Sequence, residues 1–326
     1  HATNILTEIV SNIPVTVGGS VASQNFGIIN YYGYELGLGW NDRIGKEFTY
    51  GVDLRFAWSD NKVIRLDYNA NDVLYPFNAR NGISLDKGTW GYDYLGMFKN
   101  QADIDAYVSQ YKITAVNPGN GTAVLAKDLK PGMLYYRDVR GPLQPDGTFA
   151  GPDGIIDNND QIQLSKRASN NYVFGTTLRA GYKGINLEAV LAGSFGGWAE
   201  IDARKKMNNS ISRTFASVPE IWGDIYDPVL NPTGTMPNPQ WESTSLSPTS
   251  NFWKVSSFRL RMTSFQVNYS LPKTLLEKIK VSNVRVFATA LNPVNFYNPY
   301  SYRDTDTAFD IFPNLRTYSF GLNVTF

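Results

Sequence analysis

The sequence predicts an all-β chain that forms part of a transmembrane antiparallel β-barrel with long extracellular loops. Three observations carry this prediction. In Arg316–Phe326, Tyr318, Phe320, Leu322, Val324 and Phe326 alternate with Thr317, Ser319, Gly321, Asn323 and Thr325. Strand side chains alternate between faces, so this ribbon is apolar on one side and small or polar on the other. Such ribbons recur in pairs along the chain. The links between them are alternately short and long, as periplasmic turns and outer loops are in barrels of the outer membrane.

Ile5 to Val17 is apolar and β-prone, broken at Pro14, and Gly18-Gly19 and Gly27 mark turns. From Gly33 the alternation is clear. Tyr34, Leu36, Leu38 and Trp40 share one face, and Glu35, Gly37, Gly39 and Asn41 share the other. After a polar turn at Asn41–Lys46, Phe48, Tyr50, Val52, Leu54, Phe56 and Trp58 alternate with Thr49, Gly51, Asp53, Arg55, Ala57 and Ser59. Each run supplies the ~9–11 residues that a tilted strand needs to cross a bilayer. An arginine facing lipid at the midplane costs ~2–4 kcal/mol, so the face carrying Glu35, Asp53 and Arg55 is the inner one.

Residues 60–170 lose the alternation, and their one helical candidate is Gln101–Tyr111. So long an irregular segment is usually functional. A second hairpin follows at Tyr172–Gly181 and Ile185–Ala192 around Tyr182-Lys-Gly184, with Arg179 and Glu188 on its polar face. Next come a loop from about Gly196 to Trp253 and a strand over Ser256–Leu271. That strand changes phase near Thr263, as a bulge would make it do and as a strand that leaves the membrane and becomes buried in loops would also do. Pro272 and a helical turn at Leu275–Ile279 lead to a strand with Arg285 on its polar side, then to a loop over Asn292–Asn314 and the terminal strand. Counting turns puts Phe326 at the periplasmic end. Seven or eight strands are expected, belonging to the C-terminal section of one larger barrel domain that spans 1–326. Its outer loops lie at about 60–170, 196–256 and 292–314.

Composition narrows the function. Net charge is +1, from 30 basic and 29 acidic residues, so no bulk field favours nucleic acid. The cluster Arg204-Lys205-Lys206 reads as a solvated loop patch. Cysteine is absent and His1 is the only histidine, which removes thiol chemistry and the commonest general base. Aromatics make up 14% of the chain, with 20 Tyr, 18 Phe and 7 Trp, as aromatic belts require. Mean hydropathy is −0.29, which alternating strands explain and membrane helices do not. No nucleophile, metalloprotease or phosphate-loop motif is present, so no catalytic residue is assigned and the chain is not expected to be an enzyme.

Three sets of candidate site residues remain. Trp90, Trp198, Trp222 and Trp241, with Trp253 beside them, fall in or next to the outer loops. Their rings suit stacking on a substrate, and they suit loop packing or contact with a lid protein equally well. Asp138, Asp153, Asp157 and Asp160 stand at offsets like those of a calcium loop, but Arg140 takes a ligand position and Gly141–Pro152 interrupts the spacing. A Ca²⁺ site and an Asx-rich turn are both open readings, and no cofactor is required. The inner-face charges Glu35, Asp53, Arg55, Arg179, Glu188 and Arg285 are expected to pair with one another or to line a polar path. Trp40 and Trp58, at strand ends, read as interfacial girdle.

Four stretches resemble one family. They are Asn30-Tyr-Tyr-Gly-Tyr-Glu-Leu36 with Asn61-Lys-Val63; Gly91–Phe98 with Gln101–Asp105; Pro131–Asp138 with Asp153-Gly-Ile-Ile-Asp157; and Phe258–Arg261, Tyr269–Pro272 and Arg285–Asn292 with the terminal Phe326. In order and spacing this chain is similar to the C-terminal portion of SusC/RagA-type TonB-dependent outer-membrane transporters of Bacteroidota. The resemblance implies a twenty-two-stranded barrel in the Gram-negative outer membrane, crossing it many times and closed by an N-terminal plug that this chain lacks. It also implies oligosaccharide or peptide import powered by the TonB complex through that plug, under a SusD-like lipoprotein lid. A soluble all-β carbohydrate-binding module and a passive porin-like channel are the alternatives.

Overall fold

The computed structural model describes residues 1–7, 23–118, 123–201, 223–238, 248–300, 304, 312 and 314–326. Trp222, Trp241, the Arg204-Lys205-Lys206 cluster, Pro14 and the Gly18-Gly19 turn lie outside the described residues. The chain falls into two compact units. One comprises Tyr31–Asn61, Asn170–Gly196 and Ser257–Phe326, and the other comprises His1–Asn30, Lys62–Ser169 and Gly197–Ser256. We call them the sheet unit and the loop unit.

Eight strands form one sheet in chain order: β1 Ala2–Thr7, β2 Gln24–Ile44, β3 Phe48–Arg65, β4 Tyr172–Tyr182, β5 Ile185–Phe195, β6 Arg259–Ser270, β7 Asn283–Tyr297 and β8 Thr317–Thr325. Every neighbouring pair with a recorded register is antiparallel. The alternation read from the sequence is kept across the ladder. Tyr50, Ala180, Leu187, Val267, Ala288 and Phe320 form one row, and Gly51, Arg179, Glu188, Gln266, Thr289 and Ser319 form the adjacent row on the other face. The apolar rows are half-buried over the central strands and exposed on β2 and β8, with Trp40 62%, Phe320 83% and Leu322 61% exposed. At the end of the sheet away from the short turns the same face carries a run of rings. Tyr34 stacks on Trp58 at 5.5 Å and Tyr172 on Phe195 at 4.9 Å, and Phe258 meets Tyr297 edge-on at 5.3 Å.

The link lengths hold. Gly45–Glu47, Lys183-Gly184 and 271–282 are short, and the three intervening connections are long. Lys183 and Gly184 both have positive φ, +47° and +86°, so the second hairpin closes on a two-residue turn whose twist matches its strands. Ser282 donates its backbone N–H to Thr325 O at 2.7 Å, which fixes the chain end beside the third short link.

Several boundaries differ from expectation. Asn41–Ile44 continues β2 instead of starting the turn, because alternation and pairing persist where composition alone signals a loop. β3 runs on to Arg65 and β7 to Tyr297 for the same reason. A strand is present at Ala2–Thr7, beginning before the β-prone stretch that starts at Ile5, and it pairs with Gln24–Ile29. Thr263 is the bulge: Val190 opposes Ser264 while Leu191 opposes Met262, leaving Thr263 over, and its Oγ1 donates to Val190 O at 3.2 Å. The predicted turn at Leu275–Ile279 is helix α2, Lys273–Ile279.

The loop unit is not irregular. Short ladders tie its segments together: Thr89–Gly91 with Ile162–Ser165, Tyr94–Met97 with Leu134–Tyr136, and Ala199–Glu200 with Lys254–Val255. Helix α1, Gln101–Tyr111, lies where the sequence places it. Asn100 caps it by accepting from Asp103 N, and the Asp103 carboxylate reaches back to Lys99 N at 2.8 Å. Its Ile104 and Tyr107 enter a core with Tyr92, Phe98, Leu134, Tyr136, Ile156, Tyr226 and Trp253. Phe98 stacks on Tyr135 at 4.4 Å, and Tyr107 donates its hydroxyl to Tyr136 O at 2.7 Å. These rings are spread over many separated segments, so no periodicity announces them in the sequence.

Candidate functional site

The polar face of the sheet unit brings three of the six predicted charges together. Arg179 on β4 faces Gly51 on β3 and Glu188 on β5, which leaves room for its guanidinium to reach both sides. Its Nη1 pairs with Asp53 Oδ2, and its Nε donates to Glu188 Oε2 at 3.2 Å. One fork thus spans three strands. Arg179 and Glu188 line a concavity of about 620 Å³ toward the short-turn end, with Asn41, Asn186, Gln266 and Asn268. Glu35, Arg55 and Arg285 stand apart from it, and none makes an ion pair among the described residues.

Further along that face the sheet is dented. Between β6 and β7, Met262 pairs with Val294 but Ser264 with Leu291, so Thr263 is extra on one side and Asn292-Pro293 on the other. Asn292 adopts φ +50°, a conformation that asparagine tolerates, and its Nδ2 donates to Leu315 O at 3.3 Å. A cavity of about 240 Å³ lies there, lined by Arg261, Asn292, Asn295, Asn298, Asn314 and Arg316, with Asp304. The sequence reading missed it. Its signals were the phase change at Thr263 and the density of asparagine after residue 290.

In the loop unit the acidic stretch folds as a capped turn. Asp160 is fully buried, and one carboxylate oxygen accepts from Val139 N at 2.7 Å and Arg140 N at 3.1 Å, the other from Asp157 N at 2.8 Å. Asp138 Oδ2 accepts from Gly154 N at 2.7 Å, Asp153 from Ile155 N at 2.9 Å and Asp157 from Asn159 N at 2.7 Å. Gly154 needs its φ of +82°, and a Cβ there would meet Lys112 O at 2.4 Å. The turn is fastened by Ile155-Ile156, which pairs in parallel with Ala115-Val116.

Calcium requires six to eight oxygens around one point. Among the described residues no three acidic or histidine side chains form such a group; one oxygen each of Asp138, Asp153 and Asp157 accepts a backbone N–H, while Asp138 Oδ1 is buried without a partner. Arg140, the residue out of place for a ligand, sends its guanidinium to Gln161 O and over the Phe149 ring at 5.5 Å. Burial, helped by the charge of Asp138, pushes Asp160 up to about 7 against the opposing pull of its N–H donors. Burial likewise raises the Tyr92 and Tyr107 hydroxyls.

The tryptophans divide. Trp253 is fully buried in the loop-unit core, which removes it as a substrate platform. Trp90 is half-buried in Thr89–Gly91, its Nε1 donating to Lys87 O at 3.1 Å and its ring edge-on to Phe77. Trp198 is half-buried, with the Lys254 ammonium 5.0 Å over its ring. No ring contact joins Trp90 to Trp198 among the described residues.

No family model matches the chain. Two receptors of Formosa agariphila are similar to it over 96% of its length. TonB-dependent receptor P3 is 22% identical over 341 aligned positions, and TonB-dependent receptor P26 is 24% identical over 350. The chain spans about a third of these relatives, 30% and 31% of their lengths. Among solved structures, the RagAB peptide transporter superposes with a TM-score of 0.66 at 17% identity, covering 99% of this chain and 32% of that one. The RagAB peptide importer in its open-open state gives 0.63 at 16%, covering 99% and 31%. At these identities the structural likeness is one of fold, that of an all-β barrel section. The resemblance named from the motifs holds: the chain is similar to TonB-dependent receptors, and the similarity is to receptors and transporters, not to enzymes.

Proposed function

We propose that this chain forms the C-terminal wall and outer loops of an outer-membrane importer that is energised by TonB and takes up oligosaccharides or peptides. One observation carries the reading. Across β3–β8 the side chains stay in register as a continuous apolar face and a continuous polar face, and the apolar one carries exposed side chains such as Leu54, Leu178, Leu187, Val286 and Phe320. In water that face would need a second layer over it. In a bilayer it is the lipid surface, and the ladder of backbone hydrogen bonds meets the demand that hydrocarbon makes on every N–H and C=O. The similarity to TonB-dependent receptors supports an energised importer over a passive channel.

In this reading the polar face is the lumen wall. The Arg179 fork holds neighbouring strands at fixed spacing while leaving polar groups in the path. The loop unit is the outer body on which a SusD-like lipoprotein closes, with Trp90 and Trp198 as ring platforms near substrate. Its packed core suits a surface that meets a lid repeatedly without losing shape.

The test is uptake in the native host, with the full-length gene present or deleted. Labelled oligosaccharides and peptides are supplied with and without a protonophore. Uptake that needs both the gene and the proton gradient is expected. Gene-dependent uptake that persists with the protonophore would leave the porin-like channel as the better account. Recovery of the protein in the soluble fraction would end the barrel reading. Pull-down of the tagged transporter from detergent should bring a surface lipoprotein with it.

A further inference from the structure

We propose that the three short links of the sheet unit form a cationic collar that gathers anionic phospholipids from the leaflet they border. The inference rests on the importer reading, which puts these links in the periplasm and the apolar face in the bilayer. It adds the class of lipid held at that end.

The charge is placed unevenly. Lys46, Lys183, Lys273, Lys278 and Lys280 lie in the links Gly45–Glu47, Lys183-Gly184 and 271–282, and they are all the lysines of the sheet unit. Glu47 and Glu277 are the only acidic residues in those links. Elsewhere in the unit eight arginines balance eight acidic residues, so the links hold its whole excess of positive charge. All five lysines are exposed. Lys183 pairs with Glu47 at 3.2 Å, and the other four have no acidic partner among the described residues. Gly184 O accepts from Ser270 N at 2.9 Å, just before the third link, and Ser282 at the far end of that link reaches Thr325 O. The cations therefore follow one edge of the sheet.

Lysines on turns are commonly just solvated, and charge alone would make this a wet rim. The side chains next to it argue for lipid. On the apolar face Tyr182 pairs with Ile185, Ile185 with Tyr269, Tyr269 with Val286 and Val286 with Leu322, and each of these side chains is exposed. Leu275, between Lys273 and Lys278 on α2, is exposed as well. The Lys183 ammonium sits 5.3 Å over the Tyr182 ring. Cations thus border apolar surface directly. An acidic protein or polymer in the periplasm needs only the charge. A phospholipid uses both parts, its phosphate meeting the ammonium groups while its acyl chains lie on the apolar row. Lysine suits this better than arginine, because its stem lies along apolar surface while a compact ammonium reaches the headgroups. An anionic headgroup is favoured over a zwitterionic one, which brings its own cation to the same place.

The experiment uses the full-length transporter in bilayer nanodiscs of phosphatidylethanolamine with phosphatidylglycerol as the minor lipid. Lipid that stays bound through a mild detergent wash is measured by mass spectrometry. The parent is expected to retain phosphatidylglycerol at severalfold its share of the bilayer, and salt in the wash should reduce the excess. Lys46→Gln with Lys273→Gln and Lys278→Gln should bring the ratio down to that of the bilayer. Arginine at the same three positions should keep it high, which separates charge from folding. Should the glutamine variant fail to assemble, the salt dependence of the parent decides. Retention by the parent at the bulk ratio, or an excess that neither salt nor the glutamine variant lowers, would overturn the collar. So would binding of the parent, but not of the glutamine variant, to purified peptidoglycan with no enrichment of lipid, since the rim would then serve the cell wall. In each of these cases import that still depends on the gene and on the proton gradient leaves the importer reading standing. Recovery of the parent in the soluble fraction with no lipid bound would remove the barrel reading and the collar with it.

Discussion

At the scale of single residues, placement decides what a charge does. Arg179, Asp53 and Glu188 are each between a third and a half exposed, so their contacts belong with weak, solvent-screened surface ion pairs. The larger effect comes from removal. Without the guanidinium, the carboxylates of Asp53 and Glu188, on the strands either side of β4, lose the cation they share. Arg179→Met should therefore lower the urea midpoint of the detergent-solubilised full-length protein, and adding Asp53→Asn and Glu188→Gln should recover most of the loss. The urea midpoint measures both, and a single variant as stable as its parent would refute the account. Which charges met was partly readable in the sequence, because alternation placed all six on one face. Which of the six paired was not. That depends on strand register, and register between distant segments leaves no local mark. The buried Trp253 makes the same point from the other side, since a loop tryptophan looks alike in sequence whether it faces a substrate or a core.

At the scale of elements, local chemistry was legible and assembly was not. The spacing of Gln101–Tyr111 gave a helix with the observed bounds, and Asp153-Gly154 gave a turn that needs glycine. The gathering of residues 66–169 with 197–256 around one aromatic core was hidden, because its contacts join residues more than a hundred apart. The acidic turn lends itself to a test by pH. Asp160 is raised from its ordinary value of 3.8 to about 7 by burial, so the fold favours its protonated form. The stability it contributes is complete below its ordinary value and is lost as pH rises through about 7. Amides of residues 139–160 should exchange severalfold faster, relative to intrinsic rates, at pH 8 than at pH 5, and Asp160→Asn should flatten the difference. Protection independent of pH in the parent would contradict the burial argument. The turn between β4 and β5 offers a second test. With φ at +86° and a Cβ position 2.7 Å from Ser270 O, Gly184→Val should cost about 1–2 kcal/mol and slow assembly of the barrel, read as persistence of the heat-labile unfolded band in cold electrophoresis. Assembly at the parent rate would show that the turn is not a constraint.

At the scale of the whole molecule, the two-residue alternation carried the most information. A period of two fixes which side chains share a face, and the strict succession of short and long links fixes which strand ends share an edge. Together they assign the hairpins and the end of the sheet at which each link lies, and they leave little topological choice in the strand order. The environment on each side follows from the same alternation and can be tested on β8, where Leu322 and Asn323 are adjacent and opposite. Leu322 belongs to the open apolar row with Val286, and Asn323 faces Arg285 on the polar side. If lipid covers the first row, Leu322→Arg places a charge in hydrocarbon at ~2–4 kcal/mol, enough to divert the chain from the membrane during assembly. Asn323→Arg puts the same side chain one residue away into the lumen, beside Arg285, at the smaller cost of like-charge repulsion. The full-length protein carrying Leu322→Arg should therefore be lost from the outer-membrane fraction, while the Asn323→Arg protein is retained at near-parent levels. Equal recovery of the two would mean that the apolar face does not meet lipid, and the barrel reading would have to give way to a sheet covered by another layer of protein.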